Sequence, residues 1–221
     1  MEDKQPKGNT NVTEAVVSAS DDSVEEKYRR LYEKMDKTAR SRFIASRRFE
    51  LQETLSLYTV VLMSCAVIGL TLLDGLEMLA PEAAKASAFL QVFAAIGVLV
   101  YSVILSKSDF ALHAYRHHEC GIAINHLRNS VFKHMVDMPK ADKFNNLSDS
   151  YNTILERFEN HLNLDFEIML VRSKHYHKFY DVGFCFKSWV CVKAFLVYWH
   201  YLFFMLLSVA GLAWIGLAFD G

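Results

Sequence analysis

The sequence predicts an all-α membrane protein: a long transmembrane helical hairpin extending into a cytosolic helical stalk, plus a third, C-terminal transmembrane helix. Three observations predict it. Leu55–Leu73, Ala86–Ser106 and Ala194–Phe219 are runs of 19, 21 and 26 residues without an Asp, Glu, Lys or Arg, and about 20 apolar residues on a helix cross the roughly 30 Å hydrocarbon core of a bilayer. Outside these runs apolar residues recur at helical spacing, with no strand alternation of useful length. Pro81 and Pro139 fall between the helical patterns, not inside them.

Residues 1–23 are polar, poor in aromatics and carry Pro6 and Gly8, which reads as a disordered tail. Ser23 ahead of Glu25 and Glu26 is a plausible cap and first turn, and Tyr28, Tyr32, Met35, Ala39 and Phe43 follow on one helical face. No Gly or Pro interrupts residues 24–68, so this helix is expected to run into the first span, about 55–73. Asp74–Lys85 joins it to the second span, about 86–106. The helical pattern continues to Asp137, with Ile124, Leu127, Val131 and Met135 on one face. Pro139 and Lys140 to Asn146 read as a turn. Ser148, Asp149 and Ser150 can cap a further helix with Tyr151, Ile154, Leu155, Phe158 and Leu162 on one face, broken near Gly183 before the third segment. The domain reading is a tail (1–23), a helical region with two spans (24–180), and a C-terminal transmembrane segment (181–221, span about 194–219). As one helix, residues 24–73 reach about 75 Å at 1.5 Å per residue, well beyond the membrane.

Charge sets the expected orientation. Lys37, Arg40, Arg42, Arg47 and Arg48 precede the first span with no acid among residues 37–48, whereas the connecting loop carries Asp74, Glu77 and Glu82 against Lys85. Lys107 and Arg116 follow the second span, Lys187 and Lys193 precede the third, and Asp220 follows it. Cations stay in the cytosol, so the N-terminus is expected inside and the C-terminus outside, with Trp199 and Trp214 in the two aromatic belts of the third span. Overall, 24 Lys and Arg against 25 Asp and Glu give a net charge of -1, a balance that argues against direct nucleic-acid binding and against an acidic tail. The first apolar run starts too late for a signal peptide. Cys65, Cys120, Cys185 and Cys191 contain no CxxC pair, so neither a zinc site nor a redox pair is indicated.

Several constellations carry polar chemistry. His113, His117 and His118 form an HxxxHH pattern after span two, the form of one histidine box of a membrane di-iron oxygenase. His126 and His134 stand apart and His175-Tyr176-His177 is an HxH, so no second box completes the set. No metal, cofactor or catalytic residue is assigned, and the chain is read as non-enzymatic. Glu159, Asn160 and His161 with Asp165 read as a polar helix face. Lys37, Arg40, Arg42, Arg47 and Arg48 are candidate juxtamembrane contacts to anionic lipid or a ligand. In the second span, Gln91, Ala94, Ala95, Gly97 and Ser102 are candidates for span packing or pore lining, because small and polar residues join helices in lipid. Tyr28, Met35, Ile124, Leu127 and Val131 are expected to be shared between stalk packing and contacts between copies of the chain.

Ser41-Arg42-Phe43-Ile44-Ala45-Ser46-Arg47-Arg48 leading into span one, Ser102 to Asp109 leaving span two, Ala114 to Cys120 with Leu127, and Tyr151-Asn152-Thr153-Ile154-Leu155 with Glu159-Asn160-His161 and Asp165-Phe166 resemble the SLATT family, in particular its fifth subfamily. The resemblance covers about residues 24–205. It implies a two-span membrane effector encoded beside a conflict-system sensor, often a reverse transcriptase, and places the chain in a bacterial inner membrane. It also implies an antiviral, abortive-infection role: a homo-oligomer that forms a pore or disrupts the membrane when a reverse transcriptase or a nucleotide-signal system triggers it. The alternatives are a non-catalytic anchor or scaffold for such a sensor, and a His-box oxygenase.

Overall fold

The computed structural model describes residues 10–76, 81–137 and 141–220, with side chains for 24–76, 85, 87–137, 141–211 and 213. Among the described residues the fold is all-α: α1 (Thr10–Gly75), α2 (Pro81–Lys107), α3 (Phe110–Val136), α4 (Ala141–Arg157), α5 (Asn163–Arg172), a short 3-10 helix (Lys174–Lys178) and α6 (Phe184–Asp220). Three helices are long and apolar enough to cross a membrane, and they carry the three uncharged runs in α1, α2 and α6.

Four boundaries differ from the sequence reading. First, α1 begins at Thr10, so only residues 1–9 of the segment assigned as a tail lie outside the described residues. Gly8 is the last breaker before the helix, and neither Gly nor Pro follows until Gly69. Second, the helix expected through Asp137 is divided at Ser108 and Asp109. Asp109 adopts φ 43°, a left-handed conformation that Asp tolerates better than most residues. The Ser108 amide turns back to the Leu105 carbonyl at 3.0 Å, and the Asp109 carbonyl accepts the His113 amide at 3.0 Å, which starts α3. Third, α4 begins at Ala141 instead of at a cap on Ser148–Ser150. Asp142 lies in its first turn, where a carboxylate complements the helix dipole, while Ser150 Oγ donates to the Asn146 carbonyl at 2.7 Å within the helix. Fourth, α4 stops at Arg157, and residues 158–162 are not helical.

The chain divides into two compact units. The first comprises Met1–Ala45 and Arg116–Met169. Its core is Tyr28, Leu31, Met35, Ala39, Cys120, Ile124, Val131 and Tyr151, the helical stripes read from the periodicity of α1, α3 and α4. Ile154, Leu155 and Phe158 pack against it, whereas Leu162, beyond the end of α4, is exposed. Tyr28, Met35, Ile124 and Val131 are fully buried and Leu127 half-buried. Their own unit uses these side chains, which leaves the buried four no surface for the contacts between copies expected of them.

The second unit comprises Ser46–Tyr115 and Leu170–Gly221. Its burial is inverted relative to a water-soluble bundle. Ser56, Thr59, Ala66, Ser87 and Ser208 are buried, together with Leu73, Val190 and Tyr201, while Leu57, Ile68, Phe89, Phe93, Leu99, Leu206 and many other large apolar residues are exposed. Small and hydroxylated residues inside with large apolar ones outside is the pattern of helices packed in lipid. The hydroxyls find acceptors on their own helices: Thr59 to Leu55 at 2.7 Å and Ser208 to Phe204 at 2.8 Å.

Candidate functional site

In the first unit the polar groups gather around Arg42. It lies one turn beyond Ala39 on the buried stripe of α1, and its side chain is 1% exposed. Nη1 donates to the backbone carbonyl of Glu159 and to Nδ1 of His117 at 3.3 Å. His117 therefore accepts at Nδ1 and carries its proton on Nε2. Arg42 Nε is buried without a hydrogen-bond partner, and among the described residues no carboxylate pairs with this guanidinium. The Glu159 carboxylate turns instead to Arg116 at 3.1 Å. Nearby, Tyr151 and Thr38 share a hydrogen bond of 2.8 Å. Burial pushes the Tyr151 phenol and the Cys120 thiol above their ordinary values, with the Arg42 charge opposing both shifts.

This node explains the break after α4. A helix that continued past Arg157 would use the Glu159 carbonyl for its own ladder; here Arg42, 117 residues away in sequence, takes it. The chain then restarts with a reciprocal cap. Asp165, fully buried, accepts the Leu162 amide at 3.1 Å, and the Asp165 amide donates back to the Leu162 carbonyl at 3.0 Å. That places the carboxylate at the third helical position of α5, where it makes the N3 half of a capping box, the other half being a backbone bond. Glu159, Asn160 and His161 thus form a connecting loop and not the helix face expected of them. His161 Nδ1 sits 3.1 Å from the Leu162 carbonyl.

The basic cluster before the first span divides by environment. Arg47 is exposed, and Arg40 is exposed and paired with Asp36 at 2.7 Å; Asp36 also binds Arg128. Lys37 is half-buried. Arg42 and Arg48 are buried, Arg48 donating to Gln52 at 3.1 Å. Arg42 is therefore a structural group, since a side chain 1% exposed cannot meet a lipid headgroup. The three histidines after α2 also have separate contacts. In the second unit His113 stacks on Phe49 with centroids 5.2 Å apart; in the first, His117 serves Arg42 and His118 meets the Phe43 ring edge-on at 5.5 Å. Among the described residues no three His, Cys, Asp or Glu side chains gather as a metal site would need.

In the second unit Gln91 joins two spans. Its Nε2 donates to Ser87 Oγ at 3.0 Å, and its Oε1 lies 3.3 Å from Thr71 Oγ1 on α1. Ser102 donates to the Val98 carbonyl at 2.7 Å, within α2. Ala94 lines an apolar cavity of about 230 Å³ between α1, α2 and α6, along with Ala66, Leu70, Leu90 and Phe204. Ala95 and Gly97 are both exposed but, two residues apart, lie on opposite sides of α2, and a Cβ built on Gly97 meets nothing within 4 Å. The small residues of α2 therefore face two directions and do not form one strip. Sequence reasoning missed Thr71 and Ser87 as the partners of Gln91, and Thr38, Arg116 and His117 as parts of the Arg42 node. Ser87 lies at i−4 from Gln91 and could have been read from helical spacing; the others are pairings over distance, for which local spacing carries no signal.

The inverted burial of the second unit and its three long apolar helices define a helical membrane protein. The chain belongs to the family described as SMODS and SLOG-associating 2TM effector domain family 5 (SLATT family 5), which matches residues 24–212. Membership makes it a membrane effector of a conflict system. The matched region takes in apolar stretches of all three membrane-length helices, including most of α6. Neither a curated protein nor a solved structure matches the chain.

Proposed function

We propose that this effector is a non-enzymatic homo-oligomer of a bacterial inner membrane that permeabilises the bilayer when a partner sensor triggers it, with its N-terminus in the cytosol and its C-terminus outside. The observation that carries the reading is the outward face of α2. No residue in its most apolar window is buried within the chain, and Gly97 on that face leaves open space. Lipid tails supply no hydrophobic drive between spans, so helices associate where small residues let backbones approach. Gly97 offers such a position to a second copy, while the polar groups Gln91, Thr71 and Ser87 are already engaged inside one chain. The charge asymmetry around the spans supports the orientation. Inducible expression with a potential-sensitive dye, with and without the native neighbouring gene, tests the proposal. Depolarisation that follows the trigger is the expected result. A chain that inserts but never depolarises the cell, even when triggered, leaves the anchor for a cytosolic sensor as the function.

A further inference from the structure

A largely open pocket lies on the first unit, between α1 and α4, outside the spans proposed to permeabilise the membrane. It holds about 240 Å³ and is lined by Lys27, Arg30, Leu31, Lys34 and Phe144. That volume is more than a bare phosphate fills and somewhat less than the ~300 Å³ at which drug-sized pockets begin.

The three cations recur at i, i+3 and i+7 and so share one face of α1. Arg30 pairs with Glu26 at 2.9 Å. That carboxylate also binds Arg29, and the two guanidiniums hold it below the usual carboxylate range. It is thus already committed and does not neutralise the lysines. The Lys34 ammonium sits 5.3 Å from the centroid of the Tyr151 ring, and among the described residues neither Lys27 nor Lys34 has a carboxylate partner. Below this rim the floor is apolar. Leu31 is 7% exposed, and Phe144 packs edge-on against Tyr28 at 5.4 Å.

We propose that this cavity binds a phosphate monoester with a small apolar or aromatic body. A monoester carries about -1.5 to -2 charges at pH 7 and three acceptor oxygens, which suits a rim of three cations, Lys27, Arg30 and Lys34, better than the single charge of a carboxylate does. Arg30, whose Nε is held by Glu26, offers its two Nη groups to the oxygens, and the lysines act as mobile point charges. The ester body lies against Leu31 and Phe144. The same chemistry occurs in soluble phosphate esters and in the headgroup of phosphatidic acid.

The test uses the full chain in phosphatidylcholine nanodiscs, titrated calorimetrically with phenyl phosphate, inorganic phosphate and dihexanoyl phosphatidic acid. Phenyl phosphate is expected to saturate one site per chain, to bind more tightly than inorganic phosphate, and to weaken as salt is added. The double variant Lys27→Gln, Lys34→Gln is expected to lose at least about tenfold in affinity, with unchanged circular dichroism because both side chains are exposed. Phe144→Leu is expected to weaken phenyl phosphate selectively. Binding of phosphatidic acid alone, with the same lysine dependence, keeps the site and identifies its source as a lipid headgroup. Failure of all three ligands to bind, or equal binding by parent and double variant, overturns the proposal. Neither outcome depends on whether the protein permeabilises membranes.

Discussion

An arginine that is 1% exposed must replace the water it has left, and Arg42 does so with a carbonyl and an imidazole while one nitrogen goes unpaired. Arg42→Ala leaves the Glu159 carbonyl without this donor and opens space in the core, so the first unit is expected to lose about 3 kcal/mol. Hydrogen exchange should report it as lost amide protection across residues 159–165; unchanged protection there would show that the loop is held by other contacts. Gly121 is constrained by size. A Cβ there lies 2.9 Å from Cε1 of Phe43, so Gly121→Leu sets an overpacking penalty of about 1–3 kcal/mol against a helix-propensity gain of about 1 kcal/mol. Net destabilisation is expected in a thermal melt, with Gly121→Ala near neutral because the ring edge can shift. Buried Cys120 and Tyr151 give the unit an alkaline limit. Their ordinary values are 9.0 and 10.0, and burial raises both. The folded unit therefore keeps protons that the unfolded chain releases above about pH 9. Their contribution to stability is complete below that pH and is lost as pH rises through the folded values. Melting temperature is expected to be insensitive to these groups between pH 7 and 8 and to fall above 9, with Cys120→Ala moving the onset upward. The core tyrosines and aliphatics were legible because each sits on a periodic stripe; the role of Arg42 was not, because in sequence it is one cation among five.

Helices were legible where composition alone decides them. The uncharged runs became membrane-length segments of α1, α2 and α6 because a peptide in lipid must satisfy its backbone internally. Boundaries set by single residues or by distant contacts were harder to read. The break at Asp109 rests on one left-handed residue, with only the pair Ser108-Asp109 as a sequence signal. Asp109→Gly is expected to be tolerated and Asp109→Val to destabilise the second unit by about 1–2 kcal/mol, the penalty for a side chain held in that region; thermal denaturation in detergent compares them. The break between α4 and α5 depends on a hydrogen bond reaching across 117 residues, which no local window contains. The start of α4 was available in the sequence, since Pro139 stands ahead of it and Asp142 falls in its first turn, but the later Ser148–Ser150 cluster offered a competing cap. Asp165→Ala removes the reciprocal cap of α5, with an expected loss of about 1–2 kcal/mol and earlier fraying of Leu162–Phe166 in hydrogen exchange. Asp165→Asn, which retains an acceptor oxygen, is expected to recover part of the loss.

At the scale of the whole chain, the distribution of apolar surface ties sequence to function. The second unit exposes Phe, Leu, Ile and Val along α2 and α6 and buries several Ser, Thr and Ala side chains, so its outer surface suits a bilayer, and Gln91, Thr71, Ser87, Thr59 and Ser208 are hydrogen-bonded within one copy. The family match places this unit in a membrane effector, and permeabilisation by an assembly of copies is our proposal for how it acts. Gly97 isolates the contact between copies from folding of the single chain. A Cβ there meets nothing within 4 Å, and Leu favours membrane insertion, so Gly97→Leu should insert and fold normally while preventing close approach by a neighbouring span. The most direct measurement is dye-reported depolarisation of triggered cells expressing the parent or Gly97→Leu at matched membrane abundance. The parent is expected to depolarise the cells and the variant to leave most of the potential intact. Depolarisation by Gly97→Leu as complete as that by the parent would contradict assembly through this face of α2.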